Sequence, residues 1–176
     1  MRREGVRTGQ PAHRRRIGAR CCGHQAPQGN QAHQGVKVFL DANVVFSAAH
    51  QREGRAQSLL LLARAGRCDL MVSAHALEEA RRNLTRKSHS FDRRLADLLA
   101  MTEVVAEAPA PLVAWAMEHG LPLKDAPILA AAVHANADIL TTGDLRDFGH
   151  LFGKSLRGVR ILTLAKAIEA ILDCDD

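Results

Sequence analysis

The chain has 176 residues, 47% hydrophobic and 24% charged, which favours one soluble globular domain with a single sizeable core. Its formal charge of +5 is unevenly placed: residues 1–35 hold seven Arg and one Glu, whereas the remainder sets 17 Lys plus Arg against 18 Asp plus Glu. The basic character therefore belongs to an N-terminal tail, and bulk charge does not make the body a nucleic-acid binder. No apolar run approaches a membrane span, the longest candidate being SLLLLA, so the expected location is the cytoplasm and no membrane partner is expected.

The tail, MRREGVRTGQPAHRRRIGARCCGHQAPQGNQAHQG, is almost free of large apolar residues and has no periodicity. Such a segment cannot bury enough surface to offset its ordering entropy, so it is expected to be disordered. It lacks the apolar stretch of a secretory signal and the serines of a transit peptide. Its RRR run, Cys21, Cys22, His13, His24 and His33 point only weakly to RNA or metal, because the cysteines are vicinal and the histidines lack zinc-site spacing. The alternative is a translation start near Val36. Cys68 and Cys174 are far apart in sequence and read as small apolar residues, so no disulfide framework is expected.

From residue 36 onward, short β-branched runs alternate with longer helical patterns. VKVFL (36–40) reads as a buried strand, AQSLLLLARA (56–65) as a helix stopped by Gly66, and 69–72 as a second strand. Ser73 is a good N-cap for a helix through Leu77, Ala80 and Leu84, and a further helix fits 91–101. A third strand is expected over 103–106 and a helix over 113–119 that ends at Gly120. Residues 126–137 form a small-residue helix with Pro127 in its first turn. Strands at 139–141 and 159–162 and a helix over 164–172 complete the body. This alternation predicts an α/β domain spanning 36–176, with a central parallel sheet of four to five strands flanked by helices. GxGxxG and GxxxxGK[ST] are absent, so nucleotide-binding loops are not indicated.

Ligands of open parallel sheets bind beyond the carboxyl ends of the strands, and several acids fall there. Asp41 ends the first strand in VFLDAN, and Asp144 and Asp147 follow the strand ILTT in TTGDLRDF. Asp125 opens the small-residue helix in LKDAPILAAA, and Glu78 and Glu79 lie in SAHALEEARRNL. Each has an ordinary structural explanation. Asp41 and Asp125 can cap helices, Asp144 and Asp147 suit turns, and the glutamates can pair with Arg81 and Arg82 on a solvated face. Together they repel one another and raise each other's pKa unless a cation neutralises them. Mg²⁺ or Mn²⁺ suits such an oxygen-rich set and can activate water against a phosphodiester, whereas no Cys/His set competes for zinc.

The segments LDANVVFSA, SAHALEEARRNL, KDAPILAAAVHANADIL and TTGDLRDF, in this order, resemble the successive signatures of the PIN domain family, most closely its VapC-type ribonuclease toxins. The resemblance runs from about Val36 to Leu172 and implies a three-layer metal-dependent nuclease fold. It makes Asp41 the first acid, Glu79 rather than Glu78 the second, Asp125 the third and Asp144 the fourth, with Asp147 a variable extra acid. Asn43 and Thr142 match polar positions that orient the cluster. On this reading Mg²⁺ or Mn²⁺ is held by Asp41, Asp125, Asp144 and Asp147. Glu79 and Asp147 complete the shell or help to deprotonate a water aimed at an RNA phosphate.

The toxin reading further implies a cognate antitoxin covering the cleft and a homodimer. Segment 81–94, with Arg81, Arg82 and Arg86 foremost, would supply phosphate contacts, with Lys154, Arg157 and Arg160 adding to them. The alternatives are a silent RNA- or protein-binding module and a housekeeping nuclease without an antitoxin. A phosphatase of the haloacid dehalogenase type needs a second Asp where this chain has Asn43, and a receiver domain needs a paired acid at the first strand.

Overall fold

A computed structural model describes residues 35–51, 53–85 and 92–173. The basic tail, Arg86 and Cys174 lie outside the described residues. The chain order is β1 (Val36–Leu40), α1 (Ala42–His50), α2 (Arg55–Arg64), β2 (Cys68–Ser73), α3 (Ala74–Thr85), α4 (Asp92–Leu99) and β3 (Thr102–Val105). It continues with α5 (Ala110–Glu118), α6 (Ala126–His134), β4 (Ile139–Thr141), a 3₁₀ turn (Gly149–Leu151), β5 (Ser155–Leu156), β6 (Val159–Leu162) and α7 (Leu164–Leu172).

The strands form one sheet in the order β3-β2-β1-β4-β6-β5. All neighbours are parallel except β5 and β6, which make an antiparallel hairpin. Helices flank this sheet in a three-layer α/β arrangement, with α1 against α3 and α4, α5 against α6, and α2 against α7. The expected four to five strands become six, because the two-residue β5 is too short to leave a periodic signal. It is created by a tight turn in which Arg157 and Gly158 both take positive φ, 48° and 91°. Helix α1 is a further addition, since ANVVFSAAH continues the apolar run of β1 without a break. Conversely, α6 ends three residues before the expected 137. Asn136 enters the left-handed region at φ 52° and the Ala137 N–H turns back to the Ala132 carbonyl at 3.0 Å.

The strand order reverses direction at β1: the chain builds outward through β2 and β3, then returns to place β4 on the other flank of β1. Register fixes the levels, pairing Leu40 with Thr141 and Phe39 with Met71. The carboxyl ends of β2, β1 and β4 therefore lie side by side, with a crevice at the switch point. Phe39, Leu40, Leu70, Ile139, Leu140 and Ile161 form the buried sheet layer, and α6 packs on it with Ala126, Ala130, Ala131 and Ala132 fully buried. Small residues let α6 approach closely, which brings its N-terminus to the crevice. Phe148, 0% exposed, anchors the loop after β4 in the core. Phe148→Ala should therefore cost about 3–5 kcal/mol in urea unfolding. A loss below about 1 kcal/mol would mean that the loop is not held by this ring.

Candidate metal centre

Asp41 sits at the end of β1 and is only 6% exposed. Its backbone N–H continues the sheet by donating to the Thr141 carbonyl at 3.1 Å. Oδ1 accepts from the Ala42 N–H at 2.6 Å, so the side chain caps α1 as well as facing the crevice. Oδ2 accepts from Asn43 Nδ2 at 2.6 Å and from the Thr142 hydroxyl at 2.5 Å. Thr142 Oγ1 in turn accepts from Asn43 Nδ2 at 3.2 Å and from the Asp144 N–H at 3.0 Å. Asn43 completes the clasp by accepting the Gly143 N–H on Oδ1 at 2.9 Å, and a Cβ on Gly143 would lie 3.3 Å from that oxygen. This network ties the end of β1 to the loop after β4 through Asn43 and Thr142.

The loop after β4 is a turn organised by its own first acid. Asp144 Oδ1 accepts the N–H groups of Arg146 at 2.9 Å and Asp147 at 3.0 Å, and its carbonyl accepts from Phe148 at 3.1 Å. Asp125 precedes α6 and is 6% exposed, yet makes no side-chain capping hydrogen bond. Its Oδ2 lies 3.0 Å from Lys124 Nζ as an ion pair but outside hydrogen-bonding geometry, and it has no hydrogen-bond partner. Capping therefore does not account for Asp125. Carboxylate oxygens of Asp125, Asp144 and Asp147 all lie within 4.8 Å of one another. Asp41 and Glu79 are not members of this trio, which leaves Asp41 joined to it through Thr142.

Electrostatics connect the remaining acids. The Asp41 carboxyl is pushed up from 3.8 to about 6, first by burial and also by the charges of Glu79 and Asp125, against the pull of hydrogen bonds from Thr142 and Ala42. Burial likewise raises Asp125, while the Lys124 ammonium lowers Asp147. Glu79 is half-buried and lines a cavity of about 360 Å³ with His75, Arg82, Asn83 and Lys124. Glu78 instead points into solvent and pairs with Arg82 at 3.9 Å. The cap expected for α3 is present, Ser73 Oγ accepting the Ala76 N–H at 3.2 Å, and it starts the helix that carries Glu79 to the crevice.

Of the basic residues, Arg81 and Arg82 are exposed on α3, and Arg82 reaches the cavity. Residues 86–91 lie outside the described residues. Arg160 pairs in register with Ile139, at the start of β4, and Arg157 precedes it at the β5–β6 turn over the Trp115 ring at 4.3 Å. Both therefore lie at the amino end of β6, whereas the acids follow the carboxyl ends of β1 and β4. Sequence reasoning passed over Lys124 and His75. His75 Nε2 lies 3.1 Å from the Lys124 carbonyl, bracing the segment that carries Asp125. The only signal for Lys124 was its place immediately before an acid at a helix start.

A raised Asp41 pKa means that the folded domain binds this proton more tightly than the unfolded chain. Its stabilising contribution is complete below pH 3.8 and is lost as pH rises through about 6. Relative to Asp41→Asn, wild-type metal-free protein should lose on the order of 3 kcal/mol between about pH 4 and about pH 7. Urea titrations of both proteins across that range measure the difference, and a pH-independent difference would contradict the raised pKa.

The sequence profile of the PIN domain matches residues 37–146, a span that includes Asp41, Glu79, Asp125 and Asp144. No curated protein matches the chain significantly. Among solved structures, PAE2754 from Pyrobaculum aerophilum is similar at a TM-score of 0.57 and 18% identity, covering 80% of this chain and 99% of its own. VapBC2 from Rickettsia felis, bound to a DNA fragment from its promoter, is similar at a TM-score of 0.53 and 18% identity, over 73% and 98% of the two chains. A toxin–antitoxin complex from Klebsiella pneumoniae gives 0.51 and 21%, over 69% and 94%. With the profile match covering well over half the chain, and this fold beneath it, the protein belongs to the PIN domain family.

Proposed function

We propose that the domain is a divalent-metal-dependent ribonuclease and the toxin of a type II toxin–antitoxin pair. The observation that carries this reading is the convergence of Asp125, Asp144 and Asp147 within 4.8 Å, with a buried Asp125 oxygen that has no hydrogen-bond partner and is met only by the exposed Lys124 ammonium as an ion pair among the described residues. The donor set consists of oxygens, and no described His or Cys joins it, which fits Mg²⁺ or Mn²⁺. Asp125, Asp144 and Asp147 would hold the ion, with Asp41 contributing from the neighbouring strand end. An ion there supplies an activated water and neutralises charge on the leaving oxygen of a phosphodiester.

The protein's own part is to keep that set assembled and aimed. Asn43 and Thr142 fix Asp41 and the buried Phe148 fixes the Asp144–Asp147 turn, while Glu79, whose charge raises Asp41, would complete the shell or help to deprotonate the water. Arg82 and Asn83 line the cavity beside Glu79, and with the exposed Arg81 of the same helix they suit RNA phosphates. The Klebsiella structure of this fold is a toxin–antitoxin complex and the Rickettsia one is VapBC2 on its promoter DNA, which supports an antitoxin partner for this chain. A homodimer in the cytoplasm accompanies that reading.

Purified protein should degrade a mixed RNA pool in Mg²⁺ or Mn²⁺ and stop in EDTA. Asp125→Asn and Asp144→Asn should each slow cleavage about 100-fold or more at unchanged far-ultraviolet circular dichroism. Undiminished, EDTA-resistant cleavage would sink the proposal, and inert wild-type protein would favour a silent binding module. Reversing Arg81 and Arg82 to Glu should weaken RNA binding and lower its logarithmic salt slope by about one for each phosphate no longer neutralised. Growth arrest on expression, relieved by co-expressing the neighbouring gene, separates a toxin from a housekeeping nuclease.

A further inference from the structure

Lys124 has a place that neither the acids nor the RNA-facing arginines explain. Its Nζ lies 2.7 Å from Asp147 Oδ2 and 3.0 Å from Asp125 Oδ2, and it makes both ion pairs into the trio found among the described residues. The two carboxylates come from different elements, one at the start of α6 and the other in the loop after β4. An ammonium between them supplies the positive charge that would otherwise be missing from a crowd of acids. Two further features make this contact reversible. The Lys124 side chain is 65% exposed, so its ion pairs are screened and cheap to break. Its backbone is held by His75 at 3.1 Å, and Lys124 also lines the cavity shared with Glu79, Arg82 and Asn83.

We propose that Lys124 is a built-in, exchangeable counterion: it bridges Asp125 and Asp147 in the metal-free domain, and an incoming divalent cation displaces its ammonium into the adjoining cavity. The inference rests on the metal reading given above. A compact ammonium and a divalent ion cannot occupy the same carboxylates without strong repulsion, so metal uptake includes breaking both lysine contacts. Lys124 is thus a positioning residue that neutralises the acids before the metal arrives and then competes with it for Asp125 and Asp147.

The test is Mn²⁺ binding by isothermal titration calorimetry to the full chain as wild type, Lys124→Met and Lys124→Arg. Lys124→Met should bind Mn²⁺ about tenfold more tightly than wild type, because no charge-assisted contact has to be broken. Lys124→Arg, which retains the charge, should bind close to wild type. Equal or weaker binding by Lys124→Met, or an arginine variant as tight as the methionine one, overturns this inference and leaves the metal reading intact. No Mn²⁺ uptake by either wild type or Lys124→Met overturns both.

Discussion

The structure depends on bringing like charges together where the protein is least able to solvate them. Asp41 and Asp125 are each only 6% exposed, and Asp144 and Asp147 join them at the carboxyl end of the sheet. Burial pushes both carboxyls upward, and neighbouring charges add to it, those of Glu79 and Asp125 at Asp41 and that of Asp147 at Asp125. Such an arrangement survives only if other groups hold the acids in place and some cation offsets them. The Asn43–Thr142 clasp answers the first need, with Asp41 accepting three hydrogen bonds. The Lys124 ammonium, paired with Asp125 and Asp147, bears on the second.

The scaffold is rigid at the points where this matters. Asp41 does not sit on a loop but continues the β1–β4 ladder through its own N–H and starts α1 with its side chain. The alanine face of α6 lets that helix lie against the sheet, so the position of Asp125 follows from core packing. Phe148 does the same for the turn that begins at Asp144. In each case a buried apolar contact sets where a carboxylate stands, which is how a preorganised site is supported.

Much of this was legible in the residues. Strand ends, the Ser73 cap and the acids at the crevice all follow from local patterns with one dominant signal each. What stayed hidden depends on contacts distant in sequence. Helix α1 merges into the apolar run of β1, and only the tertiary placement of Val44, Val45, Ala48 and Ala49 in the core distinguishes the two. The β5–β6 hairpin requires Arg157 at positive φ, a conformation for which its type carries no marker, with its guanidinium over Trp115 from another part of the chain. Glu79 was separable from Glu78 only through helix phase, which turns one glutamate to the cavity and the other to Arg82 in solvent. Lys124 was invisible as a partner of Asp147 because 23 residues and a sheet crossing separate them.

The central claim is that the convergent acids are a binding site for a hard divalent cation. Crystals soaked in Mn²⁺ and recorded near the manganese absorption edge test it directly. An anomalous peak about 2 Å from carboxylate oxygens of Asp125 and Asp144 is the predicted result. A map with no peak among Asp41, Asp125, Asp144 and Asp147 would contradict the account.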